Sequence, residues 1–239
     1  MRMIHISDLH LRGDMKHNRV VEEKLRQVQE MMTDGDVLVV TGDIVDDGKE
    51  NQYAHALRLL SPFKGRIVVV PGNHSFGALG NFYSKACHER FAKLRHALCA
   101  EKPYMFRVDG IAVGEIIVLD SCMRTGSIVD FAQGQIGRWN LWKLKRKLDA
   151  MKAARAISVV ALHHNPFYQD WFCRLNDAKK FFETVLGRAD IVLMGHEHKY
   201  RHSWYPSGLP EEQAQTRFWA ADALKYERTE ILKIPLLAE

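Results

Sequence analysis

The sequence predicts an α/β fold in which parallel strands are joined by crossover helices and arranged in two sheets. Short apolar runs such as Val37–Val40 have the length and composition of buried strands. They alternate with longer segments whose apolar residues recur every three or four positions, as in amphipathic helices. No proline- or serine-rich linker interrupts the 239 residues, so we expect residues 1–239 to form a single domain.

The first part of the chain alternates between strands and helices. Helical spacing is clearest at Val21, Leu25, Val28 and Met32. Pro71–Gly72 marks the end of the third strand, because neither residue continues a strand well. We expect strands at residues 3–7, 36–41 and 67–70, and helices at residues 19–32, 51–60 and 85–98.

The second part of the chain departs from this alternation. Residues 104–108 and 111–119, separated by Asp109–Gly110, have the pattern of a β-hairpin. Beyond it, a polar loop extends to residue 134. A helix is expected at residues 135–151, then strands at 157–162 and 191–194 with a helix at 177–186 between them. The chain ends with three expected strands, at 199–205, 215–220 and 230–234, the first two joined by a turn at 206–208.

Composition excludes several classes of protein. The hydrophobic fraction of 46% and the charged fraction of 26% are ordinary for a globular chain and unlike a disordered one. The longest apolar runs, such as residues 116–119, are far too short to span a membrane. Residues 1–7 have the pattern of a strand and not that of a secretory signal. The four cysteines include no Cys-x-x-Cys pair. We therefore expect reduced thiols and a cytoplasmic location.

Much of the positive charge lies in the predicted helix at residues 135–151 and just after it. The basic residues, opposed only by Asp149, are Arg138, Lys143, Lys145, Arg146, Lys147, Lys152 and Arg155. One interpretation is a contact surface for a polyanion or an acidic membrane. The other is a solvated helix face, which is favoured because the helix has its own buried stripe of Leu141, Leu144, Leu148 and Met151.

Five short polar motifs follow predicted strands, each at the point where an apolar run ends. In chain order they are Asp8-Leu9-His10, Gly42–Asp46, Gly72-Asn73-His74, His163–Pro166 and Gly195–His198. Taken singly, such aspartates are common as caps or turn formers, and a lone histidine is usually a satisfied polar group. Five motifs in series, all at strand ends, are hard to explain as independent accidents.

The residue types in these motifs suit metal binding. Residues i and i+2 at a strand end point to the same side, so Asp8 and His10 can share one metal ion. His196 and His198 can likewise face one cavity, reaching one metal each or sharing one. A carboxylate can bridge two cations about 3.5–4 Å apart, and Asp43 is the best candidate for that bridge.

Two further residues complete the donor set. Asn73 offers a neutral amide oxygen, and His163 adds an imidazole. Together the motifs supply enough carboxylate, imidazole and amide groups for two divalent metal ions. Mixed nitrogen and oxygen ligands suit Mn, Fe, Zn or Ni, and the sequence does not distinguish among them.

These motifs resemble those of the calcineurin-like metallophosphoesterase superfamily, whose pattern is D-x-H, G-D-x-x-D, G-N-H-D/E, H and G-H-x-H. The match extends from Asp8 to His198. The resemblance implies a four-layer αββα sandwich of two mixed β-sheets flanked by helices, with a dinuclear metal site at the sheet ends. It also implies a metal-dependent hydrolase of phosphoric esters.

The resemblance implies a role for each motif residue. One metal would be held by Asp8, His10, Asp43 and His198. The other metal would be held by Asp43, Asn73, His163 and His196. A hydroxide bridging the two metals would attack phosphorus in line. His74 would protonate the leaving oxygen or, with Asn73, bind the substrate phosphate.

The chain differs from the superfamily pattern at one position and is ambiguous at another. The superfamily usually has an acidic residue after Asn-His, which helps to orient the histidine, and this chain has Ser75. The doublet His163–His164 offers two candidate ligands, and we prefer His163 because it directly follows a predicted strand.

Within the superfamily the chain is most similar to the bacterial cyclic-nucleotide phosphodiesterase group. The similarity lies in Thr41-Gly42-Asp43, Leu119-Asp120-Ser121 and His163–Pro166. We expect a cyclic nucleotide or a similar small phosphodiester as substrate, and no membrane span. The alternatives are a nuclease, a phosphoprotein or phosphomonoester phosphatase, and a weakly catalytic metal-binding module that binds a partner; nucleic acid is allowed but not favoured.

Four aromatic residues follow the His163 motif. They are Phe167, Tyr168, Trp171 and Phe172. They could form the wall of a pocket and stack on a nucleobase, or they could pack beneath the loop. The sequence leaves both interpretations open.

Overall fold

The computed structural model describes residues 2–77, 84–100, 103–108, 112–122, 132–168 and 170–235. The strands in these ranges are β1 (Arg2–Ile6), β2 (Val37–Val40), β3 (Ile67–Val69), β4 (Tyr104–Val108), β5 (Ala112–Val118), β6 (Ile157–Ala161), β7 (Ile191–Met194), β8 (Arg201–Tyr205), β9 (Thr216–Ala220) and β10 (Leu232–Pro235). The α-helices are α1 (Met15–Met31), α2 (Glu50–Leu60), α3 (Lys85–Leu98), α4 (Arg138–Ala153) and α5 (Ala178–Val185).

The strands form two mixed sheets. The four-stranded sheet has the order β10-β1-β2-β3, in which β1, β2 and β3 are parallel and β10 pairs antiparallel with β1. The six-stranded sheet has the order β4-β5-β6-β7-β9-β8, with a parallel centre and the antiparallel strands β4 and β8 at its edges. The predicted strand–helix alternation and the antiparallel pairing of the two hairpin strands are confirmed.

Alternation along the strands divides the core into three layers of side chains. In β1, Ile4 and Ile6 pack with α1 and α2, whereas Met3 faces the space between the sheets. Val159 and Leu193 of the second sheet meet Met3 in this middle layer. The opposite face of the second sheet packs against α4 and α5. The result is a four-layer αββα sandwich, which confirms the fold class expected from the sequence.

Two helices begin more than one residue away from the predicted start. Helix α1 begins four residues early because the Asp14 carboxylate accepts a hydrogen bond from the N–H of Lys16 and caps the first turn. Helix α4 begins three residues late because Asp177 accepts hydrogen bonds from the N–H groups of Ile136 and Gly137 (3.1 and 2.7 Å). These bonds hold the residues before Arg138 outside the helix.

Some expectations lie outside the described residues or stay untested. The hairpin turn at Asp109–Gly110 and the part of the polar loop at residues 123–131 fall outside the described ranges. That residues 1–239 form a single domain stays a prediction. In the described ranges, no helix is both long and apolar enough to cross a membrane.

Burial of His5 makes folding stability depend on pH. Its side chain is fully buried between the sheets, where its Nε2 atom lies 2.9 Å from the Thr41 hydroxyl. Burial lowers the pKa of His5 to about 3 from its ordinary 6.5, although the Asp8 charge opposes the shift. Between these values the unfolded chain binds the proton and the folded chain does not. The stability that comes from keeping His5 neutral in the folded protein is therefore fully present above pH 6.5. It is lost as the pH falls from 6.5 toward 3, because protonation of His5 then favours the unfolded chain.

We expect the variant His5→Gln to remove that dependence. The free energy of unfolding should fall less steeply between pH 6 and pH 4 than in the wild type, by about 1.4 kcal/mol per pH unit. Urea denaturation across this pH range measures the slope, and the exposed His96 provides the control as His96→Gln. Equal slopes for wild type and His5→Gln would show that His5 is not kept neutral by the fold.

Candidate metal centre

The five motifs meet at one edge of the sandwich because each follows the carboxyl end of a strand. Backbone hydrogen bonds hold the loops together: the N–H of His10 donates to the carbonyl of Asp43 (2.8 Å), and the N–H of Gly195 donates to the carbonyl of His163 (2.9 Å). The loop after β1 is thereby joined to the loop after β2, and the loop after β7 to that after β6. Ligands distant in sequence become neighbours.

The motif residues adopt an unusual backbone conformation. Five of them have positive φ: Asp8 (54°), His10 (45°), Asp43 (45°), His196 (71°) and His198 (54°). In the described ranges only one other non-glycine residue, Arg155, has a positive φ. This left-handed conformation is disfavoured for residues with a side chain, and its cost is commonly accepted at functional sites.

One group of donors comprises Asp8, His10 and His198. The Nε2 atom of His198 lies 3.1 Å from Oδ1 of Asp8 and 3.2 Å from Nε2 of His10. The Nδ1–H of His10 is directed at the Asp46 carboxylate (3.1 Å), which leaves its Nε2 lone pair facing the group. The three ligand atoms lie within 4.8 Å of one another.

A second group is centred on Nε2 of His163. It lies 3.2 Å from Oδ2 of Asp43, 3.0 Å from Oδ1 of Asn73 and 3.0 Å from Nδ1 of His196. The Nδ1–H of His163 donates to the carbonyl of Thr41 (2.7 Å), so its Nε2 presents a lone pair when the ring is neutral. Several acceptor atoms therefore face one another.

Asp43 lies between the two groups. Its Oδ2 atom is 3.2 Å from Nε2 of His163 and 3.9 Å from Nε2 of His10. Its Oδ1 atom accepts a hydrogen bond from the N–H of His74 (3.0 Å). The carboxylate is 2% exposed, so its charge needs compensation from within the site. Imidazole, amide and carboxylate donors that converge on one buried carboxylate are the ligand types that suit divalent cations.

The electrostatics of the site keep both buried aspartates anionic. Burial alone would raise the pKa of Asp8, but the neighbouring imidazoles of His10 and His198 hold it well below its ordinary value. Burial also opposes ionisation of Asp43, and the nearby His163 and His74 outweigh it, so that its pKa is likewise lowered. Metal ligands must be deprotonated, and both carboxylates meet that condition at neutral pH.

The environment of the site raises the pKa of His163 and lowers the pKa of His196. Burial disfavours the charged form of His163, but the Asp43 charge outweighs it and raises the pKa of His163 to about 9. Burial, reinforced by the proximity of His163, lowers the pKa of His196 to about 3. A neutral His196 is ready to bind a metal, and its buried Nε2 atom has no hydrogen-bond partner among the described residues.

Glycines allow the loops to approach the ligands closely. A Cβ atom at Gly195 would lie 2.7 Å from Oδ2 of Asp8 and would collide with the Ser7 hydroxyl. A Cβ atom at Gly72 would collide with the carboxylate of Asp43. These positions require glycine because side-chain atoms would occupy the space that the carboxylates need.

The structure separates the roles of the two adjacent histidines. His163 faces the second donor group, whereas both ring nitrogens of His164 are engaged elsewhere. The Nε2–H of His164 donates to the carbonyl of Ala132 (3.1 Å), and its Nδ1 accepts from the Ser121 hydroxyl (2.8 Å). Burial holds the pKa of His164 well below its ordinary value, so the ring stays neutral and structural.

Ser75 does not orient His74. Its hydroxyl accepts a hydrogen bond from the N–H of Gly72 (3.2 Å) and closes the short 3-10 turn Asn73–Phe76. Instead, the Nδ1–H of His74 donates to the backbone carbonyl of Asp46 (2.6 Å). A backbone carbonyl thus fixes the imidazole that an acidic residue usually orients in the superfamily.

Two features near the site go beyond what the sequence indicates. From its position in a loop, the Asp46 carboxylate would be expected only to cap a turn. In the structure it binds His10 and also Nε of Arg12 (2.9 Å). The sequence signal for this role is the spacing of Asp46 from Asp43 within the second motif.

Tyr226 lies beside His198, with ring centroids 6.1 Å apart, because the N–H of Leu224 donates to the carbonyl of Ser7. No motif marks this segment.

The aromatic residues after His163 serve different purposes. Phe167 packs against Phe182 and Phe218, with ring centroids 4.9 and 5.2 Å apart, so it belongs to the core beneath the loop. Trp171 and Phe172 instead form an exposed edge-to-face pair 5.0 Å apart. Packing beneath the loop therefore describes Phe167 and not the other two.

Comparisons with known proteins agree with the geometry. The calcineurin-like phosphoesterase family model matches residues 1–200. The 3',5'-cyclic adenosine monophosphate phosphodiesterase CpdA of Haemophilus influenzae is 23% identical over 215 residues, which cover 83% of this chain and 70% of that protein. A cAMP/cGMP dual specificity phosphodiesterase of Mycobacterium tuberculosis is 30% identical over 174 residues, covering 69% of this chain and 49% of that protein. The match thus spans about half the length of the mycobacterial protein.

A solved structure shows the same fold. A dimetal phosphatase from Danio rerio superimposes with a TM-score of 0.61 at 13% identity, covering 99% of each chain. Because the family model spans most of the chain and its motifs meet at one edge of the sandwich, the protein belongs to the calcineurin-like phosphoesterase family of metal-dependent phosphoester hydrolases, which use two divalent metal ions.

Proposed function

We propose that this protein is a dinuclear-metal phosphodiesterase that hydrolyses a cyclic nucleotide or a similar small diester. The observation that carries the proposal is a pair of donor groups at the carboxyl ends of the strands with the Asp43 carboxylate between them. The similar proteins from Haemophilus influenzae and Mycobacterium tuberculosis are named as cyclic-nucleotide phosphodiesterases, which supports a cyclic nucleotide as the substrate class. A cytoplasmic location is part of the proposal, and the thiols of Cys87, Cys122 and Cys173, which form no disulfide among the described residues, agree with it.

The proposal assigns the donors to two cations. One cation would be held by Asp8, His10, Asp43 and His198. The other would be held by Asp43, Asn73, His163 and His196. When bound, two such cations supply a hydroxide nucleophile near neutral pH and positive charge for the phosphate oxygens. The nitrogen and oxygen donors suit Mn, Fe, Zn or Ni.

The chain's own residues would position the metal ligands and the leaving group. Asp46 holds His10 through Nδ1, and the Thr41 carbonyl does the same for His163, so both rings keep Nε2 directed at the site. His74 stands beside His10, with ring centroids 4.7 Å apart. The Nδ1–H of His74 is bonded to the Asp46 carbonyl, and its Nε2 atom hydrogen-bonds to no described residue, so Nε2 is placed to donate a proton to the leaving oxygen.

We expect the variant His74→Ala to discriminate between leaving groups. A ribose oxygen needs a proton as the P–O bond breaks, whereas p-nitrophenolate is stable as an anion. The rate with 3',5'-cyclic AMP should fall by roughly 10²–10⁴-fold, and the rate with bis-p-nitrophenyl phosphate should fall much less. Steady-state kinetics with both substrates provides the comparison, and His96→Ala is the control. Equal losses with both substrates would assign His74 to binding the phosphate instead of donating the proton.

Substrate preference tests the proposed function itself. The manganese-loaded protein should hydrolyse bis-p-nitrophenyl phosphate and 3',5'-cyclic AMP faster than p-nitrophenyl phosphate. A preference for the monoester would favour the alternative of a phosphatase. Turnover confined to single-stranded DNA or RNA would favour a nuclease. No turnover with any of the four candidate metals would favour a metal-binding module that acts through a partner.

A further inference from the structure

Two tryptophans lie on the outward face of α4. Trp139 is 62% exposed and Trp142 is 46% exposed, and their rings stack with centroids 4.7 Å apart. They lie opposite the helix stripe that packs into the core, formed by Leu141, Leu144, Leu148 and Met151. Indole rings gain much free energy when water is removed from them, so an exposed stacked pair indicates a surface used for contact.

Uncompensated positive charge surrounds this pair. The ammonium of Lys143 lies 5.1 Å from the Trp139 ring centre, and the guanidinium of Arg146 lies 5.1 Å from that of Trp142. The nearby acids have other partners. Glu115 binds Lys147, and Asp149 binds both Lys145 and Arg188 at 3.0 Å. Neither Lys143 nor Arg146 pairs with a described carboxylate.

The tryptophan pair lies at the same edge of the sandwich as the metal centre. The segment leading into α4 is tied to the site, because the N–H of Gln135 donates to the carbonyl of Ser121 and the ring of His164 donates to that of Ala132. The same segment holds the exposed Trp171–Phe172 pair, since the N–H of Ala132 donates to the carbonyl of Phe172 (3.1 Å). Two exposed aromatic pairs therefore flank one edge of the molecule.

The chemistry of this surface fits lipid better than nucleic acid. Nucleobases stack on free aromatic faces. Here each tryptophan stacks on the other and has a cation near its ring, so part of each aromatic surface is already occupied. Tryptophan rings beside lysine and arginine suit the headgroup layer of a bilayer, where indole rings settle and cations meet anionic lipids.

We propose that the outward face of α4, centred on Trp139, Trp142, Lys143 and Arg146, docks on anionic lipid membranes. Docking would hold the metal-centre edge of the sandwich close to the lipid surface. The proposal is independent of the identity of the small diester. It replaces the solvated helix face favoured from the sequence, because that interpretation does not account for the exposed tryptophans.

Vesicle sedimentation tests the proposal. The full-length protein should partition onto vesicles of phosphatidylcholine with phosphatidylglycerol, and much less onto pure phosphatidylcholine. The double variant Lys143→Gln with Arg146→Gln should lower the partition coefficient at least roughly tenfold, because each cation near an anionic surface contributes about a fivefold factor. Trp139→Ser with Trp142→Ser should also lower it roughly tenfold or more. Added salt should weaken binding.

Matched variants keep the test specific. Arg26→Gln with Lys93→Gln removes two exposed cations from other helices, and Leu57→Ser with Met105→Ser removes two exposed apolar side chains elsewhere. Both controls should bind vesicles like the wild type. All variants should retain turnover of bis-p-nitrophenyl phosphate, which reports an intact fold.

Four results would overturn the proposal. They are no binding of the wild type to anionic vesicles, equal binding to neutral and anionic vesicles, unchanged binding of both α4 variants, and binding of a single-stranded oligonucleotide in place of vesicles. The last result would assign the surface to nucleic acid.

Discussion

The variant Asp43→Asn should lose metal-dependent hydrolysis almost completely. Asp43 is buried between the two donor groups, with its Oδ2 atom 3.2 Å from Nε2 of His163 and 3.9 Å from Nε2 of His10. An amide is neutral and bridges two cations poorly, so the substitution removes charge from both proposed metal positions at once. We expect kcat/KM for bis-p-nitrophenyl phosphate to fall by roughly 10³-fold or more. The amount of bound metal, measured by elemental analysis, should fall below the two ions per chain expected for the wild type.

The matched control for this variant is Asp34→Asn. Asp34 is exposed in the turn before β2, far along the strand from the metal centre. This change should leave both activity and metal content at wild-type values. If Asp43→Asn kept two tightly bound metals, the bridging assignment would be wrong. Single-ligand variants such as His198→Ala should lose less metal than Asp43→Asn, because each removes a donor from one group only.

The variant Gly195→Ala should also lose most of its activity although it removes no ligand. The added Cβ atom would approach Oδ2 of Asp8 to 2.7 Å and would collide with the Ser7 side chain. Asp8 Oδ2 also accepts a hydrogen bond from the N–H of His196 (3.0 Å), so the collision disturbs two proposed ligands. Misplaced ligands of this kind cost about 10²-fold in rate. We expect a loss of this size in kcat/KM for bis-p-nitrophenyl phosphate, with secondary structure unchanged by circular dichroism.

A second glycine substitution isolates the steric effect. A Cβ atom added at Gly208 would have no described atom within 4 Å, and the backbone there has no positive φ, so Gly208→Ala should be silent. Wild-type activity in Gly195→Ala would show that the loop after β7 can move away from Asp8 without consequence. The close packing of that loop would then have no part in catalysis.

The motif positions can be predicted from the sequence because strand ends are visible in it. Apolar runs such as Val37–Val40 stop abruptly, and a polar motif follows each one. Parallel strands then bring those ends together, as the hydrogen bond from His10 to Asp43 shows. The preference for His163 over His164 also follows from proximity to the strand end, and the partners of His164 agree with it.

Other features depend on pairings that local sequence does not encode. Strand β9 lies between β7 and β8, and β10 returns to pair with β1, an order set by packing of distant segments. That return path also places Tyr226 beside His198. The backbone carbonyl of Asp46 that binds His74 has no signature, because every residue carries a carbonyl. The stacked Trp139–Trp142 pair is not predicted, because the charged residues and the buried apolar stripe already explain the pattern of this helix without it.

Metal titration tests the central claim most directly. The protein is first stripped with a chelator and is then titrated with Mn²⁺ while bound metal and turnover of bis-p-nitrophenyl phosphate are measured together. Two donor groups with Asp43 between them predict no turnover without metal and a rise in turnover that ends at two bound ions per chain. Full turnover at one bound ion, or turnover that persists in the chelator, would contradict a dinuclear phosphodiesterase.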